Sequence, residues 1–421
     1  MVMLGIFAYM ITLYIRPQDW MPLFLGMPVN DWIVPFTLLF GIIGSNVKGG
    51  SRSLPQTYLL ILFLAFVVFS NVLHGYFDAA LQQFVIYIKR VAIFFMFVIA
   101  LNSYTRIRYT LQFMVILSVI LAIQGIDQSI TGVGWAGQPL MPGYQEIRIT
   151  WIGDWDGPNV LALLFITGLA LILEFAFGPY GFWHLIVYSG LSAILVYGIY
   201  LTNSRAGWLS LLVVMSFYVF QRFRHVYTLI AMALCVFLFL SFSPSRMSRL
   251  NSGESSAHQR TWVWEQGLSH LRKNPVWGIG KGQFMRSSKP PIRAHNNYVE
   301  VSTEIGLAGF FVWLSLIYLS VKGLYQLQQH PAETSQQRRI ISLARAMLGA
   351  MVGFSFATFF VSMELDIIFV LWGLCAAIIL LGRNMFPDFS FEFKRKDVFV
   401  VWGGMVGILS LVYMIAILHI L

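Results

Sequence analysis

Charge is what this chain has least of: Asp, Glu, Lys and Arg together make up 11% of its 421 residues. A soluble domain carries about 25%. With 58% hydrophobic residues and a mean hydropathy of +0.72, the chain reads as an integral membrane protein. Cysteine is nearly absent. Cys235 and Cys375 each lie inside an apolar run without metal-ligand spacing, so both read as small buried hydrophobes. The apolar 1–15 segment lacks a basic start and a small-residue cleavage site, so no cleavable signal is expected and the segment should stay as a span. Internal repeats and low-complexity linkers are missing too, and one membrane domain over residues 1–421 is expected.

What is present is a series of apolar runs, at 1–15, 33–43, 58–73, 84–101, 111–126, 160–177, 184–201, 208–220, 226–242, 305–324, 341–361, 367–381 and 398–420. Lipid leaves no partner for an open backbone, so runs that cross about 30 Å of hydrocarbon must be helices. The expected fold is all-α and polytopic, with about 12–13 transmembrane helices, the first two short. With the amino terminus inside, the cytoplasmic connectors hold Lys48, Arg52, Arg106, Arg108, Arg222, Arg224, Arg338, Arg339 and Lys394. The short outer connectors hold little beyond Arg16 and Arg148, as the positive-inside rule requires. The long 243–303 loop, the 127–156 loop and the 202–205 corner then share the outer face, which is periplasmic in a Gram-negative cell. The 243–303 loop is basic, but long loops translocate regardless of charge.

On that face a few residues could carry chemistry. Arg205 opens a helix behind Thr202-Asn203-Ser204, and the same position suits an arginine snorkelling to headgroups. Arg260 lies on a helical stretch over 257–270 whose apolar face is Trp262, Trp264 and Leu268. A guanidinium binds phosphate oxygens through two parallel hydrogen bonds, which suits a diphosphate. His295, between Ala294 and Asn296, can take a proton from a hydroxyl, although a loop histidine can equally be merely exposed. Lys89 and Arg90 sit inside an apolar run and could reach the same phosphate or snorkel to lipid. Asp154-Trp-Asp156 has the spacing of a metal motif, but Gly157-Pro158 after it favours a helix-capping turn, and no metal is expected. Gly278-Ile-Gly-Lys-Gly282 lacks the Lys-Ser/Thr ending and preceding strand of a nucleotide phosphate loop.

Taken together, Thr202-Asn-Ser-Arg-Ala-Gly207, Arg260 with Trp264, Asn274-Pro-Val-Trp-Gly-Ile-Gly280, Ala294-His-Asn-Asn-Tyr298 and Glu304-Ile-Gly-Leu-Ala-Gly309 resemble the O-antigen ligase family. The resemblance covers 201–313; the flanking helices match only in hydrophobic layout. It is shared by ligases, O-antigen polymerases and protein O-oligosaccharyltransferases. It implies a metal-independent, cofactor-free C-type membrane glycosyltransferase in the inner membrane. The implied donor is an undecaprenyl-diphosphate-linked glycan, and the acceptor a hydroxyl of lipid A-core or another glycan, with no nucleic-acid partner. By the same resemblance Arg205 and Arg260 would clamp the diphosphate and His295 would activate the acceptor, with Asn296, Trp264, Lys89 and Arg90 as further contacts. A transporter of lipid-linked sugars is the rival from another class; it would show inverted repeats and mid-membrane charges, which the sequence lacks.

Overall fold

In a computed structural model of the chain, residues 1–44, 54–142, 147–177, 181–222, 255–362 and 366–418 are described, together with Ile230 and Ala233. The helices are α1 (Val2–Tyr14), α2 (Pro17–Trp20), α3 (Val29–Gly44), α4 (Pro55–Val72), α5 (Phe77–Ala100), α6 (Tyr104–Thr131), α7 (Pro158–Phe177), α8 (Phe182–Leu201) and α9 (Arg205–Arg222). They continue as α10 (Ser255–Lys273), α11 (Phe284–Ser287), α12 (Asn297–Gln328), α13 (Ser335–Ala357), α14 (Asp366–Met385) and α15 (Arg395–Leu418). A two-stranded antiparallel hairpin, β1 (Met141–Pro142) with β2 (Ile147–Arg148), and a 3-10 turn (Gly153–Trp155) fill the connection from α6 to α7.

The protein is an all-α, multi-pass membrane protein. Among the described residues nine helices, α4–α8 and α12–α15, are long and apolar enough to cross a bilayer, and α1 and α3 are shorter apolar helices. The expected run at 208–220 falls within the 18 residues of α9. The expected run at 226–242, Cys235, and the 243–254 start of the long loop lie outside the described residues. Helix boundaries follow local chemistry. Pro55 and Pro158 open α4 and α7, where a missing N–H costs nothing. The Ser103 side chain accepts from Arg106 N to start α6, and Gly132 ends it at φ +84°. Thr334 and Gln337 close a reciprocal capping box at the head of α13.

Burial sorts the helices. The most apolar stretch of α7 is 89% buried, against 22% for α8 and 17% for α15, so α7 is the central post and the other two face lipid. At one end of the post, buried Glu174 accepts from Ser342 Oγ (2.8 Å) and Arg345 Nη1 (3.2 Å), tying α7 to α13.

At the other end the long loop folds down onto the bundle and breaks a helix. Gly306, inside α12, sits at φ +69°, ψ −178°. The loop backbone takes over the freed groups: Leu307 N donates to Pro275 O (2.7 Å), and Gly280 N and Ile279 N donate to Glu304 O (2.9 Å) and Thr303 O (3.0 Å). Two glycines permit this contact. A Cβ on Gly306 would lie 2.2 Å from Val276 O, and one on Gly278 2.4 Å from the Glu304 carbonyl carbon. Buried Glu304 is fully used, one oxygen taking the ammonium of buried Lys281 and the other taking Phe284 N (3.2 Å). Asn71, at the end of α4, donates to Lys281 O (3.2 Å). Thus 274–284, the head of α12 and the end of α4 form one welded unit.

Candidate functional site

Two clusters stand at this end of the bundle. The first is the corner between α8 and α9. Asn203 takes a left-handed turn (φ +47°), and Ser204 Oγ accepts from Gly207 N (3.0 Å), capping α9 one residue before its first residue, Arg205. The corner is pinned from outside. Asn159 Oδ1 accepts from Ser204 Oγ (2.8 Å) and from Arg148 Nη2 (3.1 Å), while Arg148 Nε reaches Thr202 O (2.9 Å). Asn159 therefore holds the turn that presents Arg205.

The second cluster is built on the loop before α12. Trp264, 1% exposed, donates from its indole N–H to Ala294 O (2.7 Å) and packs edge-on against Phe359. Its ring therefore fixes the loop; expected as a contact for substrate, it is enclosed by protein instead. Asn296 N donates to Ser362 Oγ (3.1 Å), Asn297 N to Thr358 O (2.9 Å), and Tyr298 Oη to Ser355 O (2.7 Å). Asn296 Oδ1 caps α12 by accepting from Tyr298 N (2.9 Å) and Val299 N (3.3 Å). Held on both sides, His295 adopts φ +49° and turns its side chain out to the surface. The loop still withdraws enough water from the imidazole to lower its pKa to about 4, with the charges of Arg260 and then Arg293 adding to the effect. At neutral pH the ring is therefore uncharged and can accept a proton. The same effect shows that Arg260, on α10, stands within electrostatic reach of His295.

The clusters share one end of the bundle. Helix α9 lies along α13, with Val214 against Gly353, and α13 ends at the carbonyl that holds Asn297. The paired cations of α5 are engaged elsewhere. Lys89 pairs with Asp31 of α3 (2.7 Å), both half-exposed, and Arg90 pairs with Asp366 at the head of α14 (3.0 Å) and lies over the Tyr87 ring. Asp154 is claimed by Arg16 (3.2 Å), and burial raises its pKa more than the neighbouring guanidinium lowers it. Gly157 O accepts from Leu161 N (3.0 Å) at the head of α7, so the turn does start that helix. Among the described residues no three His, Cys, Asp or Glu side chains are grouped to hold a metal ion.

Sequence spacing gives no hint of Arg148, whose role arises from partners far along the chain. Glu300 does have a signal: it follows Asn296 by four residues, one helical turn on the same face. No curated protein matches the chain. Residues 190–314 match the family model described as O-Antigen ligase. That stretch contains Arg205, Arg260 and His295 and excludes Lys89 and Arg90.

Proposed function

We propose that this chain, whose residues 190–314 match the O-antigen ligase family model, is a membrane glycosyltransferase that moves a glycan en bloc from an undecaprenyl-diphosphate carrier to a hydroxyl of lipid A-core at the periplasmic face. The acceptor oxygen attacks the anomeric carbon as its proton passes to the neutral His295 imidazole. The bond from that carbon to the diphosphate oxygen breaks, the lipid diphosphate leaves as an anion, and the anomeric centre inverts. Diphosphate is already a good leaving group. The protein's task is to position the reactants and to meet the growing negative charge with Arg260 and Arg205. Bound diphosphate also raises the proton affinity of His295 in the complex, opposing the two guanidinium groups that lower it in the free protein. The observation that carries this reading is His295 turned to the surface at φ +49° by a loop fixed on both sides, with burial and then the Arg260 guanidinium lowering its pKa.

The test is transfer by the purified protein in liposomes, with excess chelator, from a lipid-diphosphate glycan to three acceptors: lipid A-core, a second carrier-linked glycan and a hydroxyl-bearing peptide. Transfer to lipid A-core is expected, and His295→Ala should slow it about 10²–10⁴-fold. Product on the second glycan alone would make the protein a polymerase, and on the peptide a protein O-oligosaccharyltransferase. Near-normal transfer by a well-folded His295→Ala protein would end the role given to His295.

A further inference from the structure

Beneath His295 lie two buried polar atoms that the fold leaves unused. Asn296 is 0% exposed and Glu300 4% exposed. Asn296 Nδ2 and Glu300 Oε2 find no hydrogen-bond partner among the described residues. The orientation of the amide is forced. Its oxygen caps α12, so turning the group over would forfeit the cap, and Nδ2 must face the other way. Glu300 stands one turn further along, on the same face of α12. Its other oxygen lies 3.7 Å from Nη1 of Arg293, and Arg293 also acts on His295. The donor and the acceptor therefore both sit at the root of the turn that carries the histidine.

Burying a carboxylate oxygen and an amide N–H without partners is unfavourable, and folds rarely leave such groups unmet without a functional reason. Four residues beyond Glu300, the carboxylate of Glu304 has both oxygens satisfied, by Lys281 and by Phe284 N.

We propose that Asn296 Nδ2 and Glu300 Oε2 form a subsite for a hydroxyl of the acceptor glycan, holding it so that a neighbouring hydroxyl faces His295. The inference rests on the transferase reading above. One hydroxyl satisfies both groups, donating its proton to the carboxylate and accepting from the amide. The polarity selects the ligand class. A phosphate would be repelled by Glu300, and a cation would meet the amide donor and the Arg293 guanidinium. A neutral, hydroxyl-bearing sugar suits both atoms. The subsite thus belongs to the acceptor, and the arginines to the anionic donor.

The experiment compares wild type, Glu300→Gln and Asn296→Asp in liposomes, varying donor and acceptor separately, with acceptors that each lack one hydroxyl. Asn296→Asp keeps a capping oxygen but replaces the donor with an acceptor and adds a negative charge near Glu300, so thermal unfolding checks that each variant folds. The acceptor KM should rise about ten- to a hundredfold in each variant, with the donor KM unchanged. One deoxy acceptor should show a rise with wild type at least as large as either variant's, and a smaller rise with Glu300→Gln than with wild type, since the two changes share the bond to the carboxylate. Wild-type acceptor KM in both folded variants would overturn the subsite, as would an equal rise in donor KM. If wild type transferred to no acceptor, the transferase reading itself would fall.

Discussion

His295 occupies a left-handed backbone position that a non-glycine residue reaches at a cost of about 1–3 kcal/mol. The loop bears that cost because the turn sends the imidazole outward while Asn296, the next residue, points into the helix cap. Burial by the loop lowers the ring's proton affinity most, and the charges of Arg260 and then Arg293 lower it further. Protonation then sets the acid limb of activity. In the free protein His295 becomes charged, and useless as a base, only as the pH falls towards about 4. The acid limb of kcat/KM is expected there, and Arg260→Gln should move it up towards the ordinary histidine value. Arg260→Lys keeps the charge, so the limb should stay while transfer falls, because an ammonium cannot make the paired contact with diphosphate. A pH profile of the three proteins checks both points. An unmoved limb in Arg260→Gln would separate the two residues functionally.

At the scale of elements, the broken helix α12 is what carries the histidine loop. Its head, from Asn297 to Gly306, is bonded to the 274–284 loop and to α4, and the Lys281–Glu304 pair is the buried centre of that weld. Removing one member leaves an uncompensated charge in a dry site, so Glu304→Ala should destabilise by about 3–5 kcal/mol, whereas Lys281→Met with Glu304→Leu should recover much of the loss. Thermal unfolding in detergent would show it, and equal stability of the single and double variants would mean the pair is solvated. Much of this was legible in the sequence. The spans follow from hydropathy, and the Arg205, Arg260 and His295 motifs each lie on a contiguous stretch with a cap or glycine beside it. What was not legible depends on partners far along the chain. Gly278-Ile-Gly-Lys-Gly282 lacks the ending of a phosphate loop, and its role appears only in the fold, where Gly278 approaches the backbone of α12 and Lys281 neutralises Glu304. Trp264 reads as a further substrate contact until its N–H is found on Ala294 O. Asp154 likewise reads as a metal ligand or a cap, and its partner is Arg16, more than a hundred residues away.

For the whole molecule, the mechanism requires the His295 loop to face the compartment that holds the lipid-linked donor. In a Cys235→Ser background, a cysteine at exposed Lys289 should react with an impermeant thiol reagent in intact spheroplasts, and one at exposed Ser335 only after the membrane is broken. Cys375, 0% exposed, should stay silent. The reverse labelling pattern would place the site in the cytoplasm and remove the proposed donor. One edge of the bundle has a further consequence for the surrounding lipid. Helix α1 has 13 residues and α3 has 16, so they rise about 20 Å and 24 Å at 1.5 Å per residue. They pack together through Gly5 and Thr37, and they present Leu4, Phe36, Leu39 and Ile43 outward. The end of α1 is fixed rather than free to extend, since Trp151 and Trp155 donate to Tyr14 O (2.9 Å) and Leu13 O (2.8 Å). Hydrocarbon about 30 Å thick is expected to thin at this edge, a hydrophobic mismatch that thinner membranes relieve. Transfer rates across liposomes of graded acyl length should peak below the usual thickness, and a flat response would show that flanking side chains meet the mismatch by snorkelling. The two leaflets are thus expected to approach each other beside α1 and α3.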